Sequence, residues 1–178
     1  VAPKVYDAST DMTGYVSITT GVGGETLTYN GATSNDAHVA TTGKYLNAIT
    51  LGNASDGSGG LASNYQLPTL NVANAPISIT PKTVSLAVAP KVYDASTDMT
   101  GYVSITTGVG GETLTYNGAT SNDAHVATAD KYLNAITLGN ASDGSGGLAS
   151  NYQLPTLNAA NAPISITPKT VSLAVAPK

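Results

Sequence analysis

The chain has 178 residues, 41% of them hydrophobic and only 10% charged, with a formal net charge of −4. All seven basic residues are Lys and none of them clusters, which argues against nucleic-acid binding; high apolar content with little charge argues against disorder. No Cys is present, excluding disulfides and thiolate metal sites, and no run of about 18 apolar residues exists to span a membrane as a helix.

Residues 1–87 recur as 88–174, differing only at Thr42/Ala129, Gly43/Asp130 and Val72/Ala159; Val175-Ala176-Pro177-Lys178 then begins a third copy. Within one repeat, Tyr15–Thr19 predicts a strand with Val16 and Ile18 on one face. Gly21-Val22-Gly23-Gly24 reads as a turn, followed by a strand at Glu25–Tyr29 that pairs Leu27 with Tyr29. Asn30-Gly31 carries the strongest hairpin-turn signal of the repeat. Lys44–Leu51 predicts a strand with Tyr45, Ile49 and Leu51 on one side. The longest loop, Gly52–Gly60, precedes short strands at Asn64–Leu67, Ile77–Thr80 and Thr83–Val88, the last presenting Val84, Leu86 and Val88 together. Six to eight short strands spaced by turns predict an all-β protein of two tandem, antiparallel, sandwich-like domains joined end to end.

The junction Ala75–Leu86 holds no Gly/Ser linker. Pro81 fixes its own φ and drives Thr80 toward extended geometry, which predicts a short, stiff connection. Domain edges therefore fall beside Pro81 and its twin Pro168. Residues 1–81 form a first domain lacking its leading strand, 82–168 a complete second one, and 169–178 the first strand of a following repeat. The chain reads as an excerpt from a longer array, and its last strand is expected either to hang loose or to complete the first domain of a neighbouring molecule.

Several residues invite a chemical reading. Asp7, Asp11 and Asp56 (twins Asp94, Asp98 and Asp143) are the oxygen donors a Ca²⁺ site would use. Two acids per loop and no D-x-[DN]-x-[DN]-G run favour turn caps instead, with Asp7 accepting from the amide near Ser9 as an Asx turn. No cofactor is expected. His38 (His125) is the sole His of each repeat and reads as a strand residue rather than a catalytic one. Gly21–Glu25 fails the dinucleotide and phosphate-loop fingerprints. The Tyr residues, five per repeat and the only aromatics, read as core with hydroxyls at the rim rather than as a sugar platform. Lys4, Lys44 and Lys82 beside abundant Asn raise the alternative of isopeptide cross-links.

Lys4-Val5-Tyr6-Asp7-Ala8-Ser9-Thr10, Asn64-Tyr65-Gln66-Leu67-Pro68 and Ile77-Ser78-Ile79-Thr80-Pro81-Lys82, with twins at Tyr93-Asp94, Asn151-Tyr152 and Pro168, resemble the YDG/MBG repeats of large filamentous-haemagglutinin-like bacterial adhesins. Ala8 and Ala95 stand where that family has Gly, so a positive φ is disfavoured there. The resemblance implies a non-catalytic stalk repeat of an exported adhesin, extracellular at the bacterial surface, with neighbouring repeats of the same polypeptide as its partners. Freedom from Cys suits an exported chain. Host or matrix glycans or proteins would be bound by other regions. The alternative is a repeated low-affinity carbohydrate- or matrix-binding module acting by avidity.

Overall fold

The computed structural model describes residues 1–176; Pro177 and Lys178, the end of the expected third-copy strand, lie outside them. The chain divides into two compact units, Val1–Lys82 and Thr83–Lys178. The first unit contains β1 (Lys4–Val5), β2 (Thr28–Ser34), β3 (Leu46–Gly52), a 3₁₀ turn at Ala62–Asn64 and β4 (Ile79–Thr80). At the unit boundary comes β5 (Lys82–Thr83). The second unit continues with β6 (Ser85–Val88), β7 (Lys91–Val92), β8 (Val103–Thr106), β9 (Thr115–Ser121), β10 (Leu133–Gly139), a 3₁₀ turn at Ala149–Asn151, β11 (Tyr152–Gln153) and β12 (Ile166–Thr167). The protein is all-β, with no α-helix among the described residues.

The strands form two-stranded ladders. β2 and β3 are antiparallel, as are β9 with β10 and β6 with β8. One pair in each unit departs from the expected antiparallel pattern: β1 runs parallel to β4, and β7 parallel to β12. These pairs bring the start and the end of a repeat side by side, as a parallel ladder can only do through a long connection.

Asn30-Gly31 is not a hairpin turn. Both residues lie inside β2, where Gly31 takes φ 63° and the register slips between Asn30 and Thr33. A glycine with positive φ supplies the extra residue of a bulge as readily as it supplies a turn. A second slip, between Thr33 and Ser34, changes the phase of β3. Leu46 and Ile49 are therefore the buried residues of β3, while Tyr45 and Leu51 are only half-buried. The expected strand at Glu25–Tyr29 begins at Thr28, because the Thr26 amide donates to Ser58 Oγ at 2.9 Å rather than to a ladder.

Met12, Ala32, Leu46 and Ile49 form the core of the first unit, flanked by half-buried Val16, Ile18, Tyr29 and Leu67. The second core repeats it with Met99, Ala119, Leu133 and Ile136, and adds fully buried Ala162 and nearly buried Val103. Leu86 and Val88 of β6 pack on this second core. The predicted strand at Tyr15–Thr19 exists only in the second unit, as β8, with Ser85↔Thr106, Leu86↔Ile105, Ala87↔Ser104 and Val88↔Val103 in register.

Candidate functional site

Lys4 and Tyr6 project to the same side of the chain, and both are buried. The Lys4 ammonium cannot remain without partners there. The following loop folds over it: Nζ donates to Ser9 O at 2.8 Å and Asp11 O at 2.7 Å, and pairs with Asp7 Oδ1 at 2.8 Å. Asp7 Oδ1 also accepts from the Ser9 amide at 2.9 Å, the Asx turn the sequence predicts. The Ser9 hydroxyl accepts from the Asp11 amide, and Asp11 Oδ1 accepts from the Thr13 amide and hydroxyl. The second unit repeats the cage, with Lys91 Nζ on Ser96 O at 3.0 Å, Asp98 O at 2.6 Å and Asp94 at 2.9 Å. A lysine ammonium thus occupies the centre of the loop that the acids Asp7 and Asp11 would have offered to a cation.

The cage also overrides the expectation at Ala8. Ala8 and Ala95 take φ 64° and 67°, the left-handed conformation their Cβ disfavours. Asp7 and Ser9 on either side of Ala8 are held by the same ammonium, so the loop closes as it would around Gly. The carboxyls respond to these contacts. The Thr13 hydroxyl and then its amide lower the Asp11 pKa; Thr100 does the same for Asp98. For Asp94, the Lys91 ammonium is the main cause of lowering, followed by the Ser96 amide.

A second lysine is treated alike. Lys44 is 9% exposed, and its Nζ donates to Val39 O at 2.8 Å and to Thr41 O; Lys131 repeats this with Val126 O and Thr128 O. The Lys4 and Lys44 ammoniums are thus held by main-chain carbonyls, with Asp7 beside Lys4, and not by the asparagines an isopeptide bond would require. Nothing in the spacing around Lys44 announces this cage, because its acceptors are carbonyls that every residue carries. The detectable signal was for Lys4, which sits in strand phase with Tyr6.

Asp56 closes the long loop. Its Oδ1 accepts from the Ser58 amide at 3.0 Å and its Oδ2 from the Thr26 hydroxyl at 2.8 Å. The Ser58 amide first, then the Thr26 hydroxyl, hold its pKa down to about 2. Asp143 repeats the arrangement, and there the Thr113 hydroxyl is the larger cause, again giving about 2. Nearby, a Cβ on Gly60 would lie 2.0 Å from Thr26 O, so glycine is required for two backbones to touch. Asn53, the other oxygen donor of this loop, accepts from the Ala62 amide.

Two tyrosine hydroxyls of each repeat are bonded within it. Tyr29 accepts from the Gly14 amide at 2.9 Å, and Tyr152 donates to Glu112 Oε2 at 2.6 Å, with Tyr65 bonded to Glu25 in the same way. His38 stacks on Tyr6 with ring centroids 6.3 Å apart, and His125 on Tyr93 at 6.2 Å. Asn64 is exposed at the end of its 3₁₀ turn, whereas its twin Asn151 is fully buried. Pro81 and Pro168 directly follow β4 and β12. Among the described residues, no three His, Cys, Asp or Glu side chains gather as a metal site would require, and no helix is long and apolar enough to cross a membrane.

No family model matches this chain, and neither a curated protein nor a solved structure matches it significantly.

Proposed function

We propose that the chain is a non-catalytic spacer, two repeats from the stalk of an exported bacterial adhesin, whose work is to hold a distal binding region away from the cell surface. The observation that carries this reading is the reuse of one lysine cage in both copies, with Lys4 and Lys91 closing the same loop. Asp7, Asp11 and Asp56 cap turns, and Lys4, Lys44, Tyr29 and Tyr65 tie segments of the repeat together. Near-identical copies favour an output that grows with number. Each unit has an expected radius of gyration of about 12 Å.

Small-angle scattering on proteins carrying one, two and four repeats tests the reading. The maximum dimension is expected to rise nearly linearly with repeat number; a dimension that fails to rise overturns it. The competing reading, an avidity module for glycans, needs exposed aromatic faces, and every tyrosine among the described residues is buried or half-buried. Glycan-array binding that strengthens with copy number would restore it.

A further inference from the structure

We infer that the parallel ladder in each repeat is a mechanical clamp, loaded in shear and pinned by the buried lysine. For its purpose the clamp rests on the stalk reading; its test does not. In the second unit the Lys91 amide donates to Ser165 O at 3.0 Å and the Tyr93 amide to Thr167 O at 2.9 Å. The Thr167 hydroxyl donates back to Lys91 O at 3.4 Å, joining residues 76 apart in sequence. The first unit repeats these bonds, from Lys4 to Ser78 O at 3.0 Å, Tyr6 to Thr80 O at 2.9 Å and Thr80 to Lys4 O at 3.3 Å. Tension along the chain enters β7 at its N-terminal end and leaves β12 at its C-terminal end, where Pro168 follows. In a parallel pair those ends lie at opposite ends of the ladder. Pulling therefore slides one strand along the other and loads the bonds together. An antiparallel pair would open one bond at a time.

Lys91 is what resists the slide. Its main chain belongs to the ladder, while its buried side chain reaches into the loop that follows. There Nζ is held by Ser96 O, Asp98 O and Asp94 Oδ1. That loop is stitched in turn to β9: the Ser121 amide donates to Thr97 O and the Met99 amide to Ala119 O, both at 2.8 Å. Moving β7 along β12 drags an ammonium off its buried acceptors, which costs more than separating one neutral hydrogen bond. Load thus passes from β7 through the lysine to the β9–β10 ladder. Lys4 makes the same link in the first unit, where the Ser34 amide donates to Thr10 O and the Met12 amide to Ala32 O, both at 2.8 Å.

Single-molecule pulling on the full chain tests this, because a sequence without Cys accepts handles at chosen cysteines. Ala89, Ser165 and Lys169 are exposed. Handles on Ala89→Cys with Lys169→Cys leave β6 out of the load path and shear the β7–β12 ladder. Handles on Ala89→Cys with Ser165→Cys peel it from one end. The shear force is expected to be about threefold the peel force, three bonds being loaded together rather than singly. Release of about 250–270 Å of chain marks the event as unfolding between the two ladder strands. Forced unfolding follows the unfolding rate and not equilibrium stability, so a merely stabilising ladder would give no dependence on direction. Equal forces overturn the inference. Asp94→Asn keeps an acceptor for the Ser96 amide but removes the charge beside Lys91, and is expected to lower the shear force by about a third. An unchanged force overturns the lysine's part. A strong clamp in repeats whose maximum dimension stays flat with number would keep the clamp and remove the stalk; equal forces with a linear rise would do the reverse.

Discussion

Val16–Thr19 in the first unit and Val103–Thr106 in the second are the same four residues in two states. The second set forms β8, because β6 lies against it and takes up its backbone groups. The first set lacks such a partner and is not a strand, although its side chains pack toward the same core. The consequences spread outward from the pairing. Asn151 and Tyr152 are buried where Asn64 is exposed and Tyr65 half-buried, and Thr107 is buried where Thr20 is half-exposed. Strand formation here is a property of the pair and not of the segment, as context-dependent β-propensity implies.

The lysine cages are the feature the two units share unchanged. Lys91→Met and Lys4→Met each remove a buried ammonium from two main-chain carbonyls and are expected to cost about 3 kcal/mol in their own unit. Residue-resolved hydrogen exchange in denaturant measures this, and a cost present in only one unit would tie the cage to the leading strand. Val84→Ala probes the difference instead. It is expected to cost about 2 kcal/mol and to bring the exchange of Val103–Thr106 toward that of Val16–Thr19; unchanged protection would separate the two states from strand pairing.

Tyr152→Phe removes a buried hydroxyl from Glu112 and should cost about 1 kcal/mol. Tyr65→Phe should cost less, because water reaches its half-exposed position. Equal losses in thermal unfolding would deny that burial distinguishes the units. Asp130 sits at φ 51° where the first unit has Gly43 at φ 66°, so Asp130→Gly should raise stability by about 0.5–1 kcal/mol, and Gly43→Asp should lower it comparably.

The smallest expected effect lies in acid. Asp56 and Asp143 are both held at about 2, below the ordinary 3.8. A depressed folded-state pKa adds stability that is complete above 3.8 and disappears as pH falls through about 2. Asp143→Asn should flatten the acid limb of the second unit's stability profile, and Asp56→Asn that of the first. Acid titration followed by circular dichroism checks the sign.

Much of the local chemistry was legible. The Asp7–Ser9 turn follows from an Asp two residues ahead of a free amide, and the strand phase of Val84, Leu86 and Val88 from simple alternation. The misreadings share a cause. Asn30-Gly31 has the composition of a turn, but a bulge uses the same positive φ, and only the partner β3 distinguishes them. Tyr45 and Leu51 left the expected face because a second slip moved the phase. The repeat differences show the same limit. A Cβ at Gly43 would lie 3.6 Å from Val72 Cγ2, an ordinary contact, so two of the three positions that differ between the copies, Gly43/Asp130 and Val72/Ala159, are neighbours in space although 29 residues apart in sequence. Nothing in the structure accounts for Thr42/Ala129, exposed in both copies.

Sequence alone determined what depends on neighbours along the chain: the duplication, the all-β character, the turn caps and the apolar alternation of each short segment. Tertiary structure decided what depends on a distant partner. It turned Asn30-Gly31 into a bulge, folded carbonyls around Lys4 and Lys44, and brought Gly60 against Thr26. The physical reason is that main-chain donors and acceptors are the same in every residue, so a sequence does not mark which of them will meet.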